Sequence, residues 1–133
     1  MSAGLRLEGR VVRGAGQAAF FTRLDWVRQA FRRVFGFDPY PGTLNVEVFK
    51  EHAAAVKTLS RAAGICLVPP TPRFCTAKAL PVTVGGIRGA LILPEEAVRV
   101  HGALIVEIVA PLRLKGALGL ADGDSVAVFV RLS

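Results

Sequence analysis

Thr43 and Asn45 stand two residues apart, just past the run Gly-Phe-Asp-Pro-Tyr-Pro-Gly at 36–42, and Asn45 is the only asparagine in the chain. The prolines and Gly42 make that run a rigid turn, since proline fixes φ and glycine reaches backbone angles closed to other residues. A strand from Thr43 to Phe49 then sends alternate side chains to opposite faces. Leu44, Val46 and Val48 point into a core, while Thr43, Asn45 and Glu47 point away from it. A hydroxyl and a carboxamide oxygen thus emerge side by side. Two neutral oxygens are a poor metal site on their own, but Mg²⁺ needs few protein oxygens when waters and substrate phosphates complete its shell. Two readings follow: a magnesium site beside a nucleotide, or polar groups that bond the backbone of their own turn.

Three more groups have the right types for chemistry. Gly14-Ala15-Gly16-Gln17-Ala18 follows a strand, and glycines there let backbone N–H groups approach phosphate oxygens. It is no Walker loop, because no Lys-Ser/Thr follows, and Ala19 stands where a dinucleotide fingerprint has its third glycine. A glycine-rich hairpin turn explains it equally well. Glu107 lies inside Leu-Ile-Val-Glu-Ile-Val, 104–109. An ionised carboxylate among apolar neighbours must face a cavity, a partner or solvent, and in a cavity it can hold or deprotonate a substrate hydroxyl. Arg113 and Lys115, alternating with Leu112 and Leu114, suit either phosphate neutralisation or the exposed face of an edge strand. Asp122 and Asp124 flank Gly123 and fit turn geometry.

These residues need a scaffold of short strands. Leu5 to Arg13 reads as a strand with a bend or bulge at Gly9. Ala19 to Phe21 re-enters the sheet. A helix is expected from Arg23 to Phe35, capped by Thr22 and stopped by Gly36, with Leu24, Val27, Phe31, Val34 and Phe35 as its apolar stripe. Glu51 to Ala63 is helix or loop. Phe74 to Val84 and Gly89 to Leu93 form strands around a Gly85-Gly86 turn, and Pro94-Glu95-Glu96 opens a short helical turn. Leu104 to Val109 and Ser125 to Leu132 complete the set. The pattern predicts a mainly β fold, a small closed barrel of six to seven strands with one or two packed helices.

A chain of 133 residues, 52% hydrophobic, is expected to form a single domain over 1–133. No apolar run approaches the ~20 residues of a membrane span, and the first residues lack the apolar core of a signal peptide, so a cytoplasmic, non-membrane protein is expected. Cys66 and Cys75, with His52 and His101, match no disulfide framework or zinc spacing. The net charge of +7 favours an anionic partner, nucleic acid or free phosphates, without choosing between them. Arg23, Arg28, Arg32 and Arg33 read as a solvated helix face rather than a nucleic-acid groove.

Taken in order, these landmarks resemble the archaeal CTP-dependent riboflavin kinases. The resemblance rests on Glu8-Gly9 to Gln17, on the run from Gly36 to Val46, on Gly89-Ala-Leu-Ile-Leu-Pro, on His101, on Glu107-Ile-Val-Ala-Pro and on Leu120 to Val126. It covers nearly the whole chain, and Pro-Gly-Thr-Leu-Asn is its most specific piece. Some members of the family carry an N-terminal helix-turn-helix domain; here the barrel is expected to begin almost at Met1.

The resemblance implies a cradle-loop barrel that transfers the γ-phosphate of CTP to the 5′-hydroxyl of riboflavin, giving FMN and CDP. It implies Mg²⁺ on Thr43 and Asn45, and nucleotide contacts from Gly14, Ala15, Gly16, Gln17, Ala18, Ala19, Leu112, Arg113, Leu114 and Lys115. Glu107 is implied as the flavin contact and catalytic group. Two positions depart from the family pattern. Ala18 replaces a usual third glycine, and the flavin-contacting threonine two residues before the histidine falls on Arg99, or on Ala97 when counted from Pro94. The alternatives are a basic barrel that binds nucleic acid and a flavin or nucleotide binder without turnover.

Overall fold

Alternation along Gly4–Val12 buries Leu7 and Val11 on one face and leaves Arg6 and Arg10 exposed on the other. The computed structural model describes residues 4–14, 22–61, 64–67, 77–94 and 105–132. Within them the strands are β1 (Gly4–Val12), β2 (Leu44–Val48), β3 (Ile65–Leu67), β4 (Ala77–Val84), β5 (Ile87–Pro94), β6 (Ile105–Val109) and β7 (Ser125–Arg131). The helices are α1 (Asp25–Phe35), α2 (Ala53–Arg61), which follows a 3₁₀ turn at Lys50–His52, and α3 (Leu114–Leu118). The expected segments Ala19–Phe21 and Pro94-Glu95-Glu96 fall wholly or partly outside the described residues.

Every pairing is antiparallel, and the order β4-β5-β6-β2-β1-β7 closes on itself through Val82 opposite Val130 and Thr83 opposite Phe129. The result is a closed six-stranded barrel, within the six to seven strands expected. β3 pairs with the first residues of β4, Ala77 to Lys78 and Ala79, on the edge that β7 takes over from Val82. Pro81 lies at this changeover, where its missing N–H costs no ladder bond.

The barrel interior is filled by Leu7, Val46, Leu80, Leu91, Ile108 and Val128, each at most 1% exposed, with further aliphatic residues around them. Burial of each such side chain contributes about 1.5–3 kcal/mol. A second cluster lies outside the barrel, where Val27, Ala30 and Phe31 of α1 pack on Ala79, Ala90, Ile92 and Val109. Phe35 and Phe37 stack beside Phe31, with ring centroids 5.4 and 5.7 Å away. These two rings cover Phe31, so Val34, expected in the apolar stripe, stands 38% exposed and Ala30 is buried instead.

The expected stop at Gly36 is present: its φ is 77°, and its N–H donates to the carbonyls of Phe31 and Arg32. The expected Thr22 cap is replaced by an extended Leu24 that makes no side-chain capping bond. The Gly85-Gly86 turn also forms, with positive φ at both residues, the geometry that matches strand twist in tight hairpins. Two of the alternatives that the sequence offers do not form. No bulge occurs at Gly9, for the register of β1 runs unbroken on both sides. Gly9 is instead a site of close approach, where a Cβ would overlap the Glu47 carbonyl oxygen. Leu112 to Lys115 is not an edge strand: the chain turns after β6 and Leu114–Leu118 winds into α3, closed by Gly119 at φ 63°.

Candidate active site

The turn before β2 is pinned to the end of β6. The Tyr40 N–H donates to the Ala110 carbonyl at 2.8 Å, and Gly42, at φ 145°, carries the chain into β2 beneath the Tyr40 ring. This pin sets Thr43 and Asn45 against the segment that follows Ala110. Asn45 is only 7% exposed, one of two buried polar side chains among the described residues. The Thr43 hydroxyl donates to Asn45 Oδ1 at 3.3 Å, and Asn45 Nδ2 lies 3.5 Å from the Thr43 carbonyl. Gly14 abuts the carboxamide so closely that a Cβ there would overlap Asn45 Nδ2. Its lack of a side chain is thus a packing requirement of Asn45.

Thr43, Asn45, Gly14 and the segment Leu112–Lys115 line one cavity of about 260 Å³, with Tyr40 and Ala110 completing its wall. Among the described residues no carboxylate lines it, and the charged groups that do are Arg113 and Lys115. Leu114 is buried and anchors α3 in the barrel core, while Arg113 is exposed and Lys115 half-buried. Lys115 Nζ donates to Asp122 Oδ1 at 2.6 Å. A concave, cationic pocket with two neutral oxygens at its floor suits a polyphosphate.

Glu107 does not line this cavity, but it stands directly opposite Asn45 in the β2/β6 ladder. Directly opposed residues share a face, with Cβ atoms about 4.5–5.5 Å apart. On its other side Glu107 is opposite Ile92, which lies beneath α1. An outer-face row therefore runs from Ala79 through Ile92, Glu107 and Asn45 to Val12. Burial in this row raises the Glu107 pKa above the ordinary carboxyl range, and among the described residues no cation offsets it.

Of the residues that sequence reasoning selected, the structure gathers Gly14, Thr43, Asn45, Leu112, Arg113, Leu114 and Lys115 around one cavity and puts Glu107 beside it. Ala15, Gly16, Gln17, Ala18, Ala19 and Arg99 lie outside the described residues. Sequence reasoning missed Tyr40 as a wall, although its being the only tyrosine, within the most distinctive run, was a usable signal. It also missed Asp122 as the partner of Lys115, seven residues away; Asp124, whose carboxylate accepts from the Ala121 N–H at 2.8 Å, has the turn role expected of both. The basic helix face is as expected, with Arg23, Arg28, Arg32 and Arg33 all exposed. Arg32 is paired with Asp38, and this hydrogen bond holds the Asp38 carboxyl below its usual range.

Residues 11–130 match the family model CTP-dep_RFKase, described as a domain of unknown function, DUF120. The chain belongs to this family. Three similar relatives are archaeal proteins named riboflavin kinase. That of Pyrobaculum arsenaticum is 37% identical over 134 residues, covering 98% of this chain and 62% of the relative. That of Pyrobaculum aerophilum is 36% identical over 133 residues, again 98% and 62%. That of Archaeoglobus fulgidus is 36% identical over 132 residues, covering 96% of this chain and 55% of the relative. The chain spans less than two thirds of the length of each.

The floor of the cavity in this CTP-dep_RFKase domain has the dimensions for a small divalent ion. Two adjacent oxygens of an octahedral Mg²⁺ shell lie about 3 Å apart when each bond is 2.0–2.1 Å. The Thr43 and Asn45 side-chain oxygens are 3.3 Å apart, close to that edge. Among the described residues no cluster of three His, Cys, Asp or Glu side chains offers a metal site built from protein alone. An ion at Thr43 and Asn45 would thus take its negative ligands from a phosphate.

Proposed function

We propose that this domain is the phosphotransferase core of a riboflavin kinase, moving the γ-phosphate of CTP to the ribityl 5′-hydroxyl of riboflavin and releasing FMN and CDP. The observation that carries the reading is the cationic cavity in which Gly14, Thr43, Asn45, Arg113 and Lys115 meet, with Glu107 directly across the ladder from Asn45. The names of the archaeal relatives support riboflavin as acceptor, and the name of the family supports CTP as donor.

The roles follow from the chemistry of each group. Arg113 and Lys115 neutralise the polyphosphate, and backbone N–H groups from Gly14 to Ala19 are its further contacts in this reading. Thr43 and Asn45 would hold Mg²⁺, which when bound supplies charge neutralisation on the β- and γ-phosphates. Glu107 faces the acceptor. Its carboxylate, made more basic by burial, takes the proton of the 5′-hydroxyl as that oxygen bonds to the γ-phosphorus and the bridging oxygen leaves with CDP. Phosphoryl transfer asks a protein mainly for alignment and charge neutralisation, and this site offers both.

Purified protein incubated with riboflavin, Mg²⁺ and each nucleoside triphosphate in turn, with products separated by chromatography, tests the proposal. FMN formed with CTP is the expected result. Binding of riboflavin and CDP without FMN formation would replace the kinase with a non-catalytic binder, and salt-sensitive binding of nucleic acid without either would favour the basic-barrel alternative.

A further inference from the structure

Of the two cations lining the cavity, Lys115 is held by an ion pair, to Asp122 Oδ1 at 2.6 Å, while Arg113 has none among the described residues. The Lys115 side chain is 27% exposed and that of Asp122 53%, so the carboxylate sits on the solvent side and the ammonium on the cavity side. An exposed ion pair of this kind adds little to stability. Its setting is what distinguishes it.

Asp122 belongs to a turn that is fastened at both ends. On one side the Leu120 N–H donates to the Lys115 carbonyl at 2.9 Å and closes α3. Within the turn, the Ala121 N–H donates to the Asp124 carboxylate and the Asp124 N–H to the Ala121 carbonyl, and Gly123 takes φ 92°. On the other side the Gly123 N–H donates to the Val11 carbonyl at 2.7 Å, and the Val11 N–H to the Asp124 carbonyl at 2.8 Å. Val11 is three residues before Gly14. The turn therefore straps the lysine wall of the cavity to the strand that delivers the glycine wall, and Asp122 is fixed in place by backbone bonds on either side.

We propose that Asp122 is a positioning residue of the phosphate subsite: it holds the Lys115 ammonium at the cavity wall, ready for a polyphosphate, without touching the nucleotide. The inference rests on the nucleotide reading of the cavity given above. A free lysine loses most of its rotamer freedom when a phosphate fixes it, whereas Lys115 has already given up much of that freedom to Asp122. The two partners need not compete, because an ammonium has three N–H donors and Asp122 uses one. The carboxylate also repels phosphate, but it faces solvent, where water and salt screen it. The ordering effect on Lys115 therefore outweighs the repulsion.

The test is a double-mutant cycle read by calorimetric titration of CDP in the presence of Mg²⁺. Asp122→Asn should weaken binding about fivefold and Lys115→Ala about tenfold, in keeping with loss of an ordered charge-assisted contact. The double variant should bind like Lys115→Ala alone. Asp122→Glu, which keeps a carboxylate, should recover most of the loss. Asp124→Asn supplies the structural control: it loosens the same turn and lowers Tm, yet its effect on CDP affinity should persist undiminished in the Lys115→Ala background. If Asp122→Asn binds CDP as tightly as the wild type, or costs as much with Ala at 115 as with Lys, the inference is wrong while the nucleotide reading stands. If the wild-type protein binds no CDP, the nucleotide reading fails and the inference goes with it.

Discussion

Asn45 and Glu107 face each other across the β2/β6 ladder, a nearly buried carboxamide opposite a carboxylate that no cation among the described residues balances. The pair joins the two halves of the candidate site. Asn45 lines the cavity with Gly14 and Thr43, and Glu107 lies outside that lining, opposite the Ile92 that packs under α1.

Asn45→Ala removes one of the two oxygens at the cavity floor. FMN formation should fall by about two orders of magnitude or more, since misplacing a phosphate by an ångström is enough for that loss. The change leaves the barrel core untouched, so the Tm should move by only a few degrees. A steady-state assay alongside thermal unfolding separates the two effects; near-normal turnover would remove Asn45 from the site. Asn45→Asp is a sharper probe. It sets two carboxylates opposite each other, which should lower stability at neutral pH and spare it in acid.

Gly14→Ala asks whether the glycine serves the carboxamide. The new Cβ would overlap Asn45 Nδ2 and push the side chain off its present line. We expect Mg²⁺-dependent CDP affinity to drop about tenfold or more, the scale of a displaced contact in a charge-assisted site, with the fold intact by circular dichroism. Unchanged affinity would mean that Asn45 can shift without consequence.

Glu107→Gln makes a prediction about pH. The folded-state pKa of Glu107 is raised by burial, so between the ordinary carboxyl range and that raised value the native state binds more protons than the unfolded chain. The stability contribution of this group therefore declines as pH rises through that window and stays at its lowest above it. Glu107→Gln should match the wild type in Tm at acid pH and exceed it at neutral pH. Its turnover should fall at every pH if the carboxylate accepts the hydroxyl proton. Thermal melts across pH check the first expectation, and FMN formation at neutral pH checks the second.

Phe31→Ala tests the anchoring of α1. Phe31 is fully buried against Ala90, Ile92 and Val109 and in contact with Phe35 and Phe37. Truncation should cost about 3–5 kcal/mol, as for other buried phenylalanines. Denaturant melts give the value directly; a cost under about 1 kcal/mol would contradict the packing described, on the usual scale for surface changes.

Much of this architecture was legible in the chain because its signals are local. Alternation located most of the strands, Gly36 and Gly85-Gly86 announced their turns, and the 36–46 run supplies one wall of the cavity. The misreadings share a different cause. Gly9 suits a bend or a bulge in the sequence because a glycine inside a strand says only that a side chain is unwelcome; the intruder, the Glu47 carbonyl, comes from a strand more than thirty residues away. Arg113 and Lys115 alternate with leucines over too few residues for period two to be told from the start of a helix, and the deciding contact, Leu114 in the barrel core, is tertiary. The same holds for Asp122, whose tie to Lys115 depends on how α3 and the following turn fold back on each other.

Gly4 and Arg131 are ladder partners, so the two ends of the described chain meet on the same side of the barrel. A short flexible linker between them would make a ring, which could be reopened at Gly86, where the backbone has open space around it. Such a circular permutant would keep Gly14, Asn45 and Glu107 in their present places while moving Glu107 ahead of the other two along the chain. The place of the cavity in this barrel is written in which strands are neighbours, and the thread that visits them is free to start elsewhere.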